Sequence, residues 1–539
     1  ANEWFLPPLR ASRSRLDPSD VRTMTDNSPQ DDDPDGAGAA APTAALDPWG
    51  ADTVADYAAL FDEFGIERID TVADALPDPH ALFRRGVIFG HRGYDRVLDA
   101  LAAGEPAAVL SGFMPTGAPH LGHKMVFDEI VWHQQQGASA HAVIADLEAH
   151  AARGRSWAEI DDHTRDYLLS LLAVGFDPDS GEVYRQSAAP AVDALAFELG
   201  IHANLSELQA IYGFDGTTAI AHMQAVLTQM ADILEPQLEA PQPTVIPVGP
   251  DQDPHIRFAR DLAARMRMFS VTEAYASFEL TDAERALCAE VYAARETYAE
   301  DPATPRCAEA AAWLRTEAAE TATRGSLIAK LENAGMEPLV PRARVVATGA
   351  PEAALDALIE QIDGEKRRYG AHIDSFELSA AALASLARAV ELAHGGYGFI
   401  APSAIYHRFM SGLTGGKMSS SDPASHIALT DPPAEGAAKV RAATTAGQPT
   451  EALQRERGGD PDACPVYELY AYTLAGDDDA LTETVYTECA GGERLCGDCK
   501  AQAAELMEAF LADHQQRRAA AEATLAAMDV ELTSPRGRD

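Results

Sequence analysis

Cations are scarce in this chain: lysine and arginine number 42 against 84 aspartates and glutamates, a formal charge of −42 over 539 residues. Such a surface repels nucleic acid in dilute salt, because holding phosphates requires lysine or arginine to displace condensed counterions. In concentrated salt both self-repulsion and phosphate repulsion are screened. The acid is spread over nearly every expected helix instead of one tail, and alanine far outnumbers isoleucine and lysine. That pattern suits work in high salt, so acidity does not exclude an RNA partner. Long apolar runs are also missing. No segment reaches the roughly eighteen apolar residues a membrane helix needs, and no secretory signal opens the chain. The expectation is a soluble, cytoplasmic protein with no membrane partner. Cysteine is sparse, with Cys288, Cys307, Cys464, Cys489, Cys496 and Cys499 all in the second half. Nothing resembles a secreted disulfide framework, so reduced thiols are expected. Cys489, Cys496 and Cys499 would suit a zinc knot, but no second clean pair or histidine pair completes four ligands, so no metal is assigned.

The length allows about three domains. Residues 1–47 hold proline, serine, glycine and "DDDPDG", too little apolar material to pack, and read as a disordered tail in which Met24 is a candidate start. From 48 to 104 two amphipathic helices are expected as an appended layer, the first with Val54, Tyr57, Leu60, Phe61 and Phe64 on one stripe. From 105 to 268 short apolar strands ("PAAVLSG", "HAVIAD", "TVIPVG") alternate with helices. This α/β alternation implies right-handed crossovers and a parallel sheet, with ligands at the carboxyl ends of strands near a topological switch point. Residues 269–394 read as a mostly helical insertion, 395–430 return to the α/β domain, and 431–539 read as helical.

Chemistry concentrates in two stretches. In "GFMPTGAPHLGHK", His120 and His123 stand where a buried strand hands over to a helix, with Gly112, Gly117 and Gly122 around them. A helix N-terminus presents unpaired N–H groups and partial positive charge to phosphate. Glycine lets backbone or a flat ring approach, and imidazoles donate to phosphate oxygens as charge builds at phosphorus. Alone, the pair also reads as two surface histidines on a helix cap. The second stretch, "SGLTGGKMSSSDP", joins three glycines to Lys417 and to Ser419, Ser420 and Ser421. A flexible loop with one lysine can close over a triphosphate and neutralise departing pyrophosphate. It lacks the spacing of a Walker loop, and alone it reads as a surface turn.

Together, "PHLGH" and "KMSSS" resemble the two signatures of class I aminoacyl-tRNA synthetases. "DPWG", "LFRRGVIFGHRGYDRVLDA", "IADLEAH", "IPVGPDQDPHIRFARDLA" and "RGGDPDACPVYELYAYTLAGDDD" are similar to the tryptophanyl-tRNA synthetase family of the archaeal and eukaryotic type. The resemblance implies a Rossmann-like catalytic domain in two parts, 105–268 and 395–430, an anticodon-binding helical domain at 431–539, and a homodimer. It implies activation of L-tryptophan by ATP with Mg2+, then transfer to the 3′-terminal adenosine of the tRNA for tryptophan. Neither step needs a protein nucleophile, so positioning and charge stabilisation should set the rate.

Carried over residue by residue, the resemblance puts Gly112, His120, Gly122, His123, Gly249, Asp251, Lys417, Met418, Ser419 and Ser420 at ATP, with His120, His123 and Lys417 as the catalytic set. Asp251 can also be read as capping the helix that follows. Around tryptophan it places Glu148 at the ammonium, Gln252 at the ammonium or carboxylate, and Gln229 or Asp232 at the indole N–H. Gln229 is preferred there, since Asp232 can pair with a neighbouring helix. The second lysine common in the loop is Ser420, and aromatic positions of the family are Leu110 and Ala225. Arg84, Arg85, His91 and Arg92 form a basic cluster that suits tRNA or ATP, or a bridge to local acids; "HQQRR" at 514–518 suits a helix end or the anticodon stem. The rival readings are a tyrosyl-tRNA synthetase, a small-molecule nucleotidyltransferase with the same histidine signature, and a silent tRNA-binding paralogue.

Overall fold

Strand order follows from where the chain is apolar on both faces. In the computed structural model residues 57–275, 278–294, 306–316, 321–416, 418 and 422–534 are described. The expected tail at 1–47, Val54, Lys417, Ser419 and Ser420 lie outside them. In chain order the strands are β1 Glu67–Arg68, β2 Ile88–Arg92, β3 Ala108–Phe113, β4 Ser139–Ile144, β5 Gly181–Arg185, β6 Thr244–Val248, β7 Phe269–Tyr275, β8 Phe278–Glu279, β9 Pro341–Ala347, β10 Lys366–Tyr369, β11 His372–Ser375 and β12 Ser403–His407. Seven form the central sheet in the order β1-β2-β12-β6-β3-β4-β5. The pairs from β12 to β5 are parallel, and such strands are buried on both faces. Val109 and Leu110 of β3 and Val245 and Ile246 of β6 are accordingly buried. From β3 the sheet grows one way through β4 to β5 and the other way through β6 to β12, so a switch point opens between the carboxyl ends of β3 and β6.

The segment expected as an appended helical layer needs correcting. Helices Tyr57–Phe64 and Asp95–Ala103 form, but β1 and β2 lie between them and extend the central sheet, β2 antiparallel to β12. Ile88, Phe89, Gly90 and His91 are all buried. A run this short shows no period that separates strand from helix. Gly90 permits the packing, since a Cβ there would stand 2.7 Å from Ile66 Cγ2.

Between β6 and β12 the chain builds a second sheet, all antiparallel, in the order β10-β11-β9-β7-β8. Helices Glu352–Gln361 and Ala380–Ala393 supply its core, while Asp282–Ala293, Cys307–Thr316 and Ala322–Ala334 form a separate small cluster. The segment read as mostly helical thus carries a sheet of its own. Arg342 and Arg344 hid β9, because their guanidinium groups bind the buried Asp374 carboxylate at 3.0 and 2.7 Å and look like surface residues in the sequence.

The C-terminal helices pack into the same core as the central sheet. Arg84 Nε and Arg85 Nε reach the Asp479 carboxylate at 2.7 and 2.8 Å, and Arg85 donates to the carbonyls of Ala471 and Gly476. Arg92 binds Asp253 at 2.8 Å, and the buried His91 ring meets Thr71 Oγ1 at 2.8 Å. Arg84, Arg85 and Arg92 thus bridge to acids, while His91 meets a hydroxyl. Within "HQQRR", His514 is buried and Arg518 binds Asp166 at 2.6 Å, so this stretch packs the helix Cys496–Ala527 onto Trp157–Val174.

Candidate active site

His120 and His123 close a reciprocal cap on helix Leu121–Gln135. His120 Nδ1 accepts from the Gly122 N–H and His123 Nδ1 accepts from the His120 N–H, each at 3.1 Å. Both δ nitrogens being acceptors, each neutral ring carries its proton on Nε2. His123 Nε2 meets Tyr167 Oη at 3.0 Å. His120 Nε2 makes no hydrogen bond among the described residues and is the ring N–H left for a phosphate oxygen. Burial holds His120 well below its ordinary value, helped by His123 and His426, and burial lowers His123 to about 4. The pair is therefore neutral near pH 7. Gly122 is needed beside it, because a Cβ would come within 3.0 Å of the His120 ring.

The two distant signatures meet here. Pro119–Leu121 pairs with the segment just beyond the serine loop: Leu121 N–H donates to Ile427 O at 3.2 Å and Leu429 N–H to Pro119 O at 2.8 Å. A cavity of about 190 Å³ is lined by His120, Gly122, His123 and Met418, with His407 and Phe409 on its other side.

His123, His407 and Phe409 also line a second cavity of about 380 Å³ at the switch point between β3 and β6. Leu110, Ser111 and Gly112 come from β3, Glu148 from helix Asp146–Arg153, Gln229 and Asp232 from helix Ile220–Leu234, and Gly249, Asp251 and Gln252 from the turn after β6. All of the expected ATP and tryptophan residues that are described line one of these two cavities. Asp251 does not cap the following helix, whose N-cap is Gln252 with no side-chain cap bond. Gly249 is sterically required, since a Cβ would stand 2.7 Å from both Asp251 Oδ1 and Phe409 Cε1. Gly112 is not, as its nearest neighbour would be Val143 at 3.8 Å. Leu110 lines the cavity, while the buried Ala225 lies outside its lining.

Two carboxyls share one amide at the chamber wall. Gln186 Nε2 donates to Glu148 Oε1 at 3.0 Å and to Asp232 Oδ2 at 2.7 Å, and Tyr184 Oη donates to Asp232 Oδ1 at 2.9 Å. Burial pushes Glu148 up to about 7 against the Gln186 hydrogen bond. Burial likewise holds Asp232 well above the carboxylate range, with Gln186 opposing and Glu148 adding repulsion. Asp232 thus pairs with Tyr184 of β5 and with Gln186, which opens the short 3-10 turn after that strand. Gln229 makes no hydrogen bond among the described residues.

Sequence reasoning missed Gln186, Tyr167 and the His407–Glu129 pair. His407 Nδ1 lies 3.1 Å from the buried Glu129 Oε1. Burial works against its charged form, yet the Glu129 carboxylate carries the imidazole above its ordinary value. One signal was available: His407 ends β12, and the carboxyl end of a parallel strand is where ligands sit.

Comparison with known proteins places the chain in a family. The family described as "tRNA synthetases class I (W and Y)" matches residues 102–281 and 380–512. The chain is 63% identical over 511 residues to "Tryptophan--tRNA ligase 1" of Halobacterium salinarum, covering 94% of this chain and 99% of that protein. It is 45% identical to the "Tryptophan--tRNA ligase" of Methanosarcina acetivorans, over 88% of this chain and 95% of that one. The crystal structure of tryptophanyl-tRNA synthetase from Aeropyrum pernix superposes with a TM-score of 0.61 at 31% identity, covering 91% of this chain and all of that one.

Proposed function

The chain belongs to the tryptophan branch of the class I tRNA synthetases, and from that membership we propose how its residues divide the work of joining tryptophan to tRNA. One observation carries the proposal: two adjoining cavities share His123, His407 and Phe409, one bordered by a helix N-terminus and the other by buried carboxyls. ATP, with Mg2+ as part of the substrate, lies across the helix N-terminus, its adenine over Gly122 and its ribose hydroxyls on Asp251. L-Tryptophan fills the larger cavity.

Glu148 takes the ammonium, Gln252 the carboxylate side and Asp232 the indole N–H. Asp232 is chosen over Gln229 because two donors already fix its oxygens, and each oxygen keeps a lone pair. A preorganised acceptor loses less on binding than a mobile amide. Gln229 forms part of the wall. The tryptophan carboxylate attacks the α-phosphorus, the bond to the β-phosphate breaks, and pyrophosphate leaves toward Lys417. His120 donates its Nε2–H to phosphate oxygens, and Met418, Ser419 and Ser420 complete the loop around them. The acyl group then passes to the 3′-terminal adenosine, displacing AMP.

Helices from 431 onward read the anticodon, and the enzyme works in the cytoplasm. Among the described residues no helix is long and apolar enough to cross a membrane. Phe197, Ile201 and Ile220 are 82%, 76% and 78% exposed, an apolar face that suits the dimer contact. The relatives reported above are tryptophan ligases, which favours this reading over tyrosine. ATP–pyrophosphate exchange against a panel of amino acids in molar potassium chloride tests it; faster exchange with tyrosine would end the assignment.

A further inference from the structure

Behind the carboxyl end of the tryptophan cavity, three more ionisable side chains turn toward one point. β4 and β5 pair with His141 opposite Glu182, and Glu235 directly follows helix Ile220–Leu234. His141 Nδ1 lies 3.0 Å from Glu235 Oε2 and 3.9 Å from Glu182 Oε2. One ligand atom from each residue lies within 4.8 Å of the others, the sole such group among the described residues.

Acidic clusters are common on a chain of this charge, so the histidine decides the matter. His141 is only 9% exposed, and neither its Nδ1 nor Glu235 Oε2 makes a hydrogen bond although both atoms are buried. Its Nε2 lies 3.3 Å from Ser139 Oγ. A proton on Nε2 leaves Nδ1 as a lone pair aimed at carboxylate oxygens. Burial, then the Glu235 charge, holds Glu182 above its ordinary range. In that tautomer three electron-rich atoms, His141 Nδ1, Glu182 Oε2 and Glu235 Oε2, converge on one point.

We propose that His141, Glu182 and Glu235 form a binding site for a divalent transition-metal ion of the zinc class. Metal–ligand bonds of about 2.0–2.2 Å place neighbouring ligand atoms roughly 3–4 Å apart, matching the observed 3.0 and 3.9 Å without backbone movement. An imidazole ligand disfavours magnesium and calcium, which prefer all-oxygen sites. Three protein ligands leave a fourth position for water.

The ion joins three elements that hold the indole end of the cavity. Glu235 follows Asp232 by three residues, and Glu182 precedes Tyr184, the Asp232 donor, by two. Metal loading therefore fixes Asp232 in place, a consequence that rests on the role proposed above for that residue.

The test uses the full chain in molar potassium chloride, stripped with a chelator and dialysed against limiting zinc, with metal content read by mass spectrometry. The wild type should retain one zinc, Glu182→Gln and Glu235→Gln should bind at least about tenfold more weakly, and Cys496→Ser/Cys499→Ser should be unchanged. Glu182 is largely exposed, so its glutamine variant should fold normally. Cobalt in place of zinc should give d–d bands without a thiolate charge-transfer band. No retained zinc, equal retention by the glutamine variants, or loss of zinc in the cysteine variant would overturn the site. Loading should lower the tryptophan KM about threefold or more with kcat unchanged; metal binding with a constant KM would overturn the coupling to Asp232 alone.

Discussion

Replacing Glu148 by glutamine separates two opposing contributions of one carboxyl. Glutamine keeps an oxygen for the Gln186 amide, 3.0 Å away in the native protein, and loses only the charge. Burial pushes the native carboxyl up from 4.5 to about 7. Being raised, this acid binds protons more tightly in the folded than in the unfolded chain, so its contribution to stability falls as pH climbs from 4.5 through 7. A displacement of about 2.5 pH units at about 1.4 kcal/mol each makes the ionised group a burden of roughly 3.5 kcal/mol above pH 7. Glu148→Gln should therefore be more stable than the wild type at pH 8, by up to that amount, with the gap closing toward pH 5.

Tryptophan binding should move the opposite way. The ammonium requires the carboxylate form, of which about a tenth is present at pH 6 and nine-tenths at pH 8 for a group near 7. The wild-type KM for tryptophan in pyrophosphate exchange should thus fall about tenfold from pH 6 to pH 8. In Glu148→Gln this dependence should vanish, and KM at pH 8 should rise at least about thirtyfold, the lower end of what truncating a desolvated charge pair costs. The assays are exchange kinetics and chemical denaturation, both in molar potassium chloride. A wild-type KM flat across this window, or a variant less stable than wild type at pH 8, would refute the assignment of a buried, neutral-leaning acid to the ammonium.

Other outcomes follow from the same site. Lys417→Ala should slow adenylate formation by about a hundredfold or more with little change in tryptophan binding, as expected of a contact made mainly in the transition state; equal losses in both would contradict the role. Asp232→Asn should weaken tryptophan affinity more than Gln229→Ala, measured by equilibrium binding, and the reverse order would move the indole acceptor to Gln229. Gly249→Ala should raise the KM for ATP, since its methyl carbon would need the space of Asp251 Oδ1 and Phe409. Glu129→Gln removes the partner that keeps His407 charged, so the exchange rate should decline at lower pH than in the wild type; an unchanged profile would make the pair purely structural.

How much could be read without coordinates depended on whether a residue's role was local. The histidine cap was legible because a helix N-terminus and its first-turn residues lie within four positions of one another, and the structure makes His120 and His123 cap each other across that span. Strands alternating with helices were legible through period and length, and helix Trp157–Val174 stands between β4 and β5 as that alternation implies. β2 and β9 were not. Their apolar positions are interrupted by Gly90 and by Arg342 and Arg344, and what makes those residues tolerable is a partner far along the chain: Ile66 packing against Gly90, Asp374 neutralising two guanidinium groups. Gln186 fell to the same difficulty. Nothing adjacent marks it, since its two acceptors, Glu148 and Asp232, lie on either side of it in sequence and come from different helices. Specificity in this pocket is thus written in residues that acquire meaning only after crossovers close the sheet, so substitutions at Gln186 should disturb both carboxyls together. Gln186→Leu would leave two buried acids without their shared donor, at a cost of about 1–3 kcal/mol for each lost partner. It should raise the tryptophan KM through Glu148 and Asp232 alike, and a double-mutant cycle of Gln186→Leu with Asp232→Asn measures that dependence as non-additivity. Additive losses would mean the amide does not act through Asp232.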